Sequence, residues 1–160
     1  ADTGSLVSTG IFRNPHADSA TLDIYQQLVM EWETIVAGVA NFDNALFFMG
    51  IAGGASNRGS NDIMGFYMAS DVIRTITDKA ATETTNAVTS APTMTTRHKF
   101  KIVVRAAAVD FYIDDVLVNT HTANLYTADV GARVNFYLGA EGIATTDLYI
   151  GSTRAYLLDY

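Results

Sequence analysis

The stretch VDFYIDDVLVNTHTANL, residues 109–125, decides the fold of this chain. Two runs of β-branched and aromatic residues flank the pair Asp114-Asp115. Tight hairpin turns require positive φ at their central residues, which Gly, Asn and Asp tolerate best. The stretch therefore predicts two antiparallel strands joined at Asp114-Asp115, and backbone geometry accounts for the acidic tip without a metal. Because both residues pay a conformational cost that Gly avoids, we expect Asp115→Gly to stabilise the chain.

The same alternation of apolar and polar residues extends in both directions from this hairpin. In HKFKIVVR, residues 98–105, apolar side chains recur at every second position, which is typical of a half-buried strand. Further strand patterns are ALFFMGI, DIMGFYMAS, VIRTITD, ARVNFYLGA and DLYIGSTRAYLLDY. Together they predict an all-β antiparallel β-sandwich jelly roll of ten to twelve strands.

The segment LDIYQQLVMEWETIVAGV, residues 22–39, fits two patterns. As a strand it places alternate residues from Leu28 to Val36, Trp32 among them, on one face. As a helix it places Ile24, Leu28, Trp32, Ile35 and Val39 on one face, with a cap at Asp23. We favour the strand, because strands surround this segment on both sides.

Composition limits the domain organisation and the partners. The chain of 160 residues fits one domain over 1–160, in which 1–22 forms an N-terminal arm or edge strand. A net charge of −7 argues against nucleic-acid binding, which needs clustered Lys and Arg. The absence of cysteine excludes disulfides and thiolate metal sites, and no apolar run is long enough to span a membrane. The chain does not begin with Met, and we expect it to be a processed piece of something longer.

The order of these segments resembles a known family. A basic strand (RHKFKIVV), a hairpin (FYIDDVLV), a polar run (THTANL) and a further strand (VNFYLGA) follow one another. Earlier in the chain stand Asn61, Asp62, Gly65, Phe66 and Tyr67. Over roughly residues 28–160 the pattern is similar to the laminin-G-like, concanavalin A-like lectin/glucanase jelly roll, and in particular to modules of tailed-phage structural proteins. Asp115 stands where that family usually has Gly. The resemblance implies two curved sheets whose concave face or rim loops carry ligands.

The resemblance includes glucanases, and their chemistry depends on paired acidic residues. Retaining hydrolysis needs two carboxylates about 5 Å apart. Glu31 and Glu33 share one face of a strand, but Ile35 continues that face with an apolar side chain. His16, His98 and His121 lie far apart and have no partner at metal-ligand spacing. We expect no catalytic residues and no enzymatic activity.

Two kinds of ligand site are considered. Oxygen-bearing side chains around the Gly-rich loop offer a weak calcium site: Asp43, Asn44, Asn57, Asn61 and Asp62. No cofactor is otherwise expected. Sugar binding needs an aromatic platform with nearby amide groups, and the ligand-binding candidates are Trp32, Tyr67, Tyr112, Asn135 and Tyr137. For each tyrosine the alternative is a sandwich face residue with a solvated hydroxyl.

The low charge, abundant Thr and Ala, and resemblance to phage modules favour a structural role. We expect a non-enzymatic module of a phage-like virion, such as a capsid decoration or fibre domain, on the virion surface or extracellular. Its partners would be virion proteins or copies of itself, with glycan binding as an additional property. The alternative is a carbohydrate-binding module or lectin domain related to glucanases.

Overall fold

The computed structural model describes residues 5–11, 27–37, 45–52, 62–69, 72–125, 133–140 and 147–158. Eleven strands and no helix occur in these ranges. The strands are β1 (Ser5–Ile11), β2 (Gln27–Ala37), β3 (Ala45–Ala52), β4 (Ile63–Ala69), β5 (Val72–Lys79), β6 (Thr82–Ala87), β7 (His98–Arg105), β8 (Ala108–Ile113), β9 (Val116–His121), β10 (Arg133–Ala140) and β11 (Asp147–Leu158). None of the described residues form a helix able to cross a membrane.

The strands form two antiparallel sheets. One has six strands in the order β1-β10-β3-β4-β5-β6, and the other has five in the order β11-β2-β7-β8-β9. Strands β3 to β6 follow one another by hairpins in the first sheet, as β7 to β9 do in the second. The chain then returns through β10 to the first sheet and through β11 to the second. The prediction of an all-β antiparallel sandwich is confirmed.

Strand β2 settles the choice between helix and strand for residues 27–37, while residues 22–26 and 38–39 lie outside the described ranges. Gln27–Ala37 pairs with β11 on one side, and its residues 28–34 pair with β7 on the other. The side chains of Leu28, Met30 and Trp32 are buried in the main core, as the alternation predicted. A central strand with two partners satisfies its backbone on both edges, which outweighs the helical pattern of its apolar residues.

Four aromatic rings fill the centre of the sandwich. Trp32 stacks on Phe100 with ring centroids 5.9 Å apart, and both rings belong to the five-stranded sheet. From the six-stranded sheet, Phe66 meets Phe100 edge-on at 5.0 Å and Phe111 edge-on at 5.4 Å. Edge-to-face contacts are the favoured geometry for aromatic pairs. The same cluster joins residues from both sheets, so each sheet depends on the other for burial.

A buried polar layer borders this aromatic core where β9 faces β5 and β6. His121 Nδ1 lies 2.9 Å from Thr77 Oγ1, and its Nε2 lies 2.9 Å from Thr75 Oγ1 and 3.0 Å from Asn86 Nδ2. The amide nitrogen of Asn86 can only donate, so Nε2 accepts and Nδ1 carries the proton. Thr77 in turn donates to the carbonyl of Ala123. Every polar atom of the imidazole is thus satisfied in its neutral form.

Two glycines bring β3 and β4 close together. Gly50 and Gly65 are register partners. A Cβ at Gly50 would lie 2.2 Å from the Met64 carbonyl oxygen, and one at Gly65 would lie 2.8 Å from a ring carbon of Phe48. The Phe48 ring therefore occupies the space over Gly65. It belongs to a second buried cluster with Ala52, Ile63, Tyr67 and Ile76, separate from the main core.

Candidate functional site

Trp32 does not lie on a surface. It is fully buried, its indole Nε1 donates to Met49 Sδ at 3.1 Å, and its ring packs between Phe100 and Phe66. The hypothesis that Trp32 is an exposed sugar platform is therefore corrected. Its neighbours on the same face of β2 are the apolar Leu28 and Met30, and a strand turns alternate residues toward one side.

Tyr67 is buried as well. Only 3% of its surface is exposed, because it belongs to the second apolar cluster with Phe48 and Ile76. It also cannot serve as an accessible platform in this structure. Both faces of β4 are buried, so burial there does not follow the simple alternation that the sequence suggested.

Asn135 and Tyr137 lie on β10 of the six-stranded sheet. Asn135 pairs with Gly50, and Tyr137 pairs with Phe48. Their Cα positions therefore fall in the same cross-strand rows as Gly65 and Tyr67. Tyr112, in contrast, lies on β8 of the other sheet, so the structure does not bring the five ligand candidates together.

Tyr112 belongs to a row of side chains that crosses the whole five-stranded sheet. Successive register pairs connect Arg154 on β11, Glu31 on β2, Lys101 on β7, Tyr112 on β8 and Leu117 on β9. We call these five residues the transverse band. They lie on the face opposite Trp32, Phe100 and Phe111. Each member is next in its strand to a residue that either belongs to the buried core or pairs with a core residue on the neighbouring strand. Four strand spacings make the band about 19 Å long.

Charge contacts fix the first part of the band. Glu31 Oε2 lies 2.9 Å from Arg154 Nε, in an orientation that makes no hydrogen bond, so this attraction is electrostatic. Tyr156 donates its hydroxyl to Glu31 Oε1 at 3.1 Å. Burial, together with the hydrogen bond to Glu31 and its negative charge, raises the pKa of Tyr156. The phenol therefore stays protonated and remains a donor at neutral pH.

The central part of the band joins a cation to an aromatic ring. Lys101 Nζ lies 4.5 Å from the centroid of the Tyr112 ring, within the range of a cation–π interaction. The same ammonium donates to Asp115 Oδ1 at 2.9 Å. Lys101 is thus held from two sides, and the Tyr112 ring is held half-buried beside it.

The hairpin tip adjoins the band. Asp114 and Asp115 have φ angles of 51° and 64°, as the turn predicted from sequence requires. Burial acts to raise the pKa of Asp114, but hydrogen bonds from the Lys99 backbone N–H and from His98 outweigh it and lower the pKa. Hydrogen bonds from the side chains of Lys99 and Lys101 lower the pKa of Asp115. Hydrogen-bond donors on β7 therefore stabilise both carboxylates of the turn.

The remaining acid and histidine candidates have partners that spacing in the sequence did not reveal. Glu33 lies on the same face of β2 as Glu31 and pairs with Arg97 at 3.4 Å. His98 Nδ1 contacts Asp114 Oδ2 at 2.7 Å, and its Nε2 contacts Thr96 Oγ1 at 2.7 Å. The contact with Asp114 joins β7 to the β8–β9 turn. His16 lies outside the described residues.

The calcium hypothesis is only partly covered by the structure. Asp43, Asn44, Asn57 and Asn61 lie outside the described residues. Asp62 accepts the backbone N–H of Ala80 at 3.0 Å. Burial, then the charges of Glu83 and Asp62, raise the pKa of Asp78 nearby. Across the described ranges, no group of three or more acidic or histidine side chains is arranged to hold a metal ion. Calcium binding stays a prediction.

Comparison with known proteins identifies the fold. No family model matches the chain, and no curated protein matches it. Among solved structures, sheep galectin-11 matches with a TM-score of 0.57 and 11% identity, covering 98% of this chain and 99% of the galectin. The carbohydrate recognition domain of Emp47p matches with a TM-score of 0.63 and 7% identity, covering 86% and 75%. An alginate lyase from a Corynebacterium species matches with a TM-score of 0.59 and 17% identity, covering 88% of this chain and 61% of the lyase.

The expectation that this chain is not an enzyme is wrong, because its fold does not exclude enzymatic activity. The matched structures include the alginate lyase and a glycoside hydrolase family 16 endo-glucanase from Bacteroides ovatus, so enzymes share this architecture. Glucanases were already part of the resemblance, but the lack of a paired-acid motif and of metal-ligand spacing does not exclude activity. At these identities the matches show the fold and assign neither activity to this chain. The virion context that the sequence suggested has no counterpart among these neighbours. The chain has the concanavalin A-like jelly-roll fold.

Proposed function

We propose that this chain is a carbohydrate-binding module whose ligand lies along the transverse band. The observation that carries the proposal is the arrangement around Tyr112, where a half-buried aromatic ring adjoins the fixed ammonium of Lys101. Ligand sites combine aromatic surface with a few oriented polar groups. The fold supports the proposal, because the Emp47p domain that shares it is a carbohydrate recognition domain.

The shape of the surface suits an extended ligand. The band crosses five strands, and Tyr156 adds a second, exposed aromatic ring beside Arg154 and Glu31. An elongated oligosaccharide laid across the strands would meet a tyrosine near each half of the band. Hydroxyl groups of a sugar find hydrogen-bond donors there, in the side chains of Arg154 and Lys101.

A titration with an oligosaccharide panel tests this function. We expect calorimetry to detect binding of at least one oligosaccharide, and Tyr112→Ala to weaken it by about tenfold or more, since loss of a central aromatic contact costs above ~1.4 kcal/mol. Tyr149→Ala is the matched control, because Tyr149 is exposed on the same sheet but pairs with Ile35, away from the band. Binding that is lost equally in both variants, or no binding across the panel, contradicts the proposal.

A virion role is the second candidate, and one feature favours it. Val116 and Leu117 are exposed apolar residues on β9, which ends the five-stranded sheet as described. An unpaired strand edge bearing apolar side chains suits a protein neighbour, either a virion protein or a second copy of the chain. Mass spectrometry of purified particles, combined with sizing of Leu117→Lys, tests it. This role is contradicted if the chain is absent from purified virions and if the unsubstituted chain and Leu117→Lys are both monomers of the same size.

A further inference from the structure

Three ion pairs on the five-stranded sheet share one asymmetry. In each, the arginine side chain is more exposed than its carboxylate partner: 72% against 9% for Arg154 and Glu31, 43% against 9% for Arg105 and Asp110, and 67% against 35% for Arg97 and Glu33. The carboxylates are recessed and the guanidinium groups are outermost. At these three pairs, solvent therefore meets the guanidinium group more than the carboxylate.

The recessed carboxylates orient the guanidinium groups without consuming them. Arg154 faces Glu31 through Nε, Arg97 faces Glu33 through Nη1, and Arg105 faces Asp110 through Nη2. A guanidinium has five N–H donors in a rigid plane. Each of these contacts involves one of the three guanidinium nitrogens. Each arginine is thus held in place with donors left for an outside anion.

One of the three arginines belongs to the transverse band, and the other two lie on either side of it along β7. Arg154 is the first residue of the band, Arg97 immediately precedes β7, and Arg105 ends β7. Arg105 lies eight positions after Arg97, which is roughly 27 Å along an extended strand. Lys101 and Tyr112 lie between them. The two lysines near the tip differ from the arginines, because their shared carboxylate partner, Asp115, is more exposed than either of them.

The placement stands out against the charge of the whole chain. The net charge is −7, with ten basic residues in all. Five of them, Arg97, Lys99, Lys101, Arg105 and Arg154, form ion pairs on this sheet. Solubility of an acidic chain does not require its cations to gather on one face. Oriented arginines around an aromatic surface are suited to carboxylate, sulfate or phosphate groups.

We propose that the glycan bound along the transverse band is anionic, namely a polysaccharide that carries carboxylate or sulfate groups engaged by Arg154, Arg97 and Arg105. This inference rests on the proposed function and names the ligand class of the same surface. The neutral part of the sugar ring would contact Tyr112, while the anionic substituents reach the arginines around it. The acidic rest of the chain would repel such a ligand from other surfaces.

Calorimetry with three oligosaccharides of matched length tests the inference: a polyuronate, a sulfated oligosaccharide and a neutral glucan. We expect one of the anionic ligands to bind more tightly than the neutral glucan, with affinity that falls as salt is raised. Arg154→Gln and Arg97→Gln should each weaken anionic binding by roughly three- to tenfold. Lys79→Gln is the control, because it removes one exposed positive charge from the other sheet and should leave affinity unchanged. If Arg154→Gln fails to fold, Arg154→Lys takes its place: it keeps the positive charge beside Glu31 but removes the planar guanidinium donors, and it should also weaken anionic binding.

The outcomes separate this inference from the function on which it rests. Preference for the polyuronate over the sulfated ligand, or the reverse, identifies the anionic group and supports the inference. The neutral glucan could instead bind as tightly as the anionic ligands, through Tyr112 and with no effect of the arginine variants. That result overturns the inference but still supports carbohydrate binding. Equal weakening by Lys79→Gln also overturns it, because the effect would then be general electrostatics. No binding of any ligand contradicts both proposals.

Discussion

At the scale of single residues, the two tight turns show how side chains change the cost of a strained backbone. Ala80 and Ala81 join β5 to β6 with φ angles of 52° and 65°, close to the values at Asp114 and Asp115. Alanine has no polar side-chain group whose hydrogen bonds could offset the strain. Asp114 and Asp115 hold the Lys99 amide and two lysine side chains. The two turns thus have nearly the same φ angles, but only the turn at Asp114-Asp115 is stabilised by side-chain contacts of its central residues.

This comparison changes what Asp115→Gly should do. The sequence alone predicted a gain in stability from relief of strain, but the structure adds the loss of contacts to Lys99 and Lys101. Because the pKa of Asp115 is lowered on folding, its contribution is present above the ordinary carboxyl pKa and is lost as pH falls through the folded pKa. We expect little change or a loss near pH 7, and a relative gain for the variant in strong acid.

Denaturant unfolding of both forms at neutral and acidic pH measures this difference. Ala81→Gly is the matched variant: it relieves the same strain without removing an ion pair and should gain about 0.5–1 kcal/mol. Ala87→Gly, at the last residue of β6, where the extended backbone pairs with Arg74, should lose stability instead. If Asp115→Gly is as stabilising as Ala81→Gly at neutral pH, the lysine contacts contribute nothing.

At the scale of elements, His121 couples β9 to β5 and β6. Burial lowers the pKa of this imidazole, and the groups around it are the hydroxyls of Thr75 and Thr77, the Asn86 amide and the Phe111 ring. None of these carries a charge that would favour the imidazolium. Protonation of Nε2 would also oppose an N–H to the amide of Asn86.

Stability should therefore fall in mild acid through His121. With the folded pKa lower than the unfolded value of about 6.5, the unfolded chain binds the proton more tightly. The contribution is fully present above about pH 6.5 and is lost as pH falls toward the folded pKa. Hydrogen exchange of the β6 and β9 amides from pH 8 to pH 5 should show loss of protection in wild type. His121→Gln, which cannot titrate, should show a flatter response, and an identical pH response would contradict the assignment.

At the scale of the whole molecule, one shared core makes the two sheets interdependent. Trp32 and Phe100 come from one sheet and Phe66 from the other, and each is fully buried. Removing a core aromatic costs about 3–5 kcal/mol, a large part of the stability of a domain. A variant of Trp32 therefore reports on folding and not on ligand contact.

Trp32→Ala should lose about 3–5 kcal/mol of unfolding free energy, and both sheets should unfold together. Urea unfolding followed by circular dichroism measures the loss. Tyr149→Ala removes an aromatic side chain that is 57% exposed on the same sheet and should change stability by less than about 0.5 kcal/mol. Comparable losses in the two variants would contradict the placement of Trp32 in the core.

The sequence by itself determined the type of most elements and the local geometry of the turn. Period-two alternation in 98–105 and 109–113 leaves no other regular structure, because a strand alone turns every second side chain to one side. The positive φ at Asp114 and Asp115 followed from the chemistry of tight turns. Even the common face of Leu28, Met30 and Trp32 could be predicted, once 27–37 is taken as a strand.

Tertiary structure alone decided which face is covered and which residues meet. Tyr67 and Tyr112 sit in similar strand patterns, yet one is buried in a second cluster and the other lies on the transverse band. The band joins residues from positions 31, 101, 112, 117 and 154, and its members meet only through register between distant strands. Alternation fixes the face of a side chain relative to its own strand; what packs on that face depends on sheet order, which no local pattern contains.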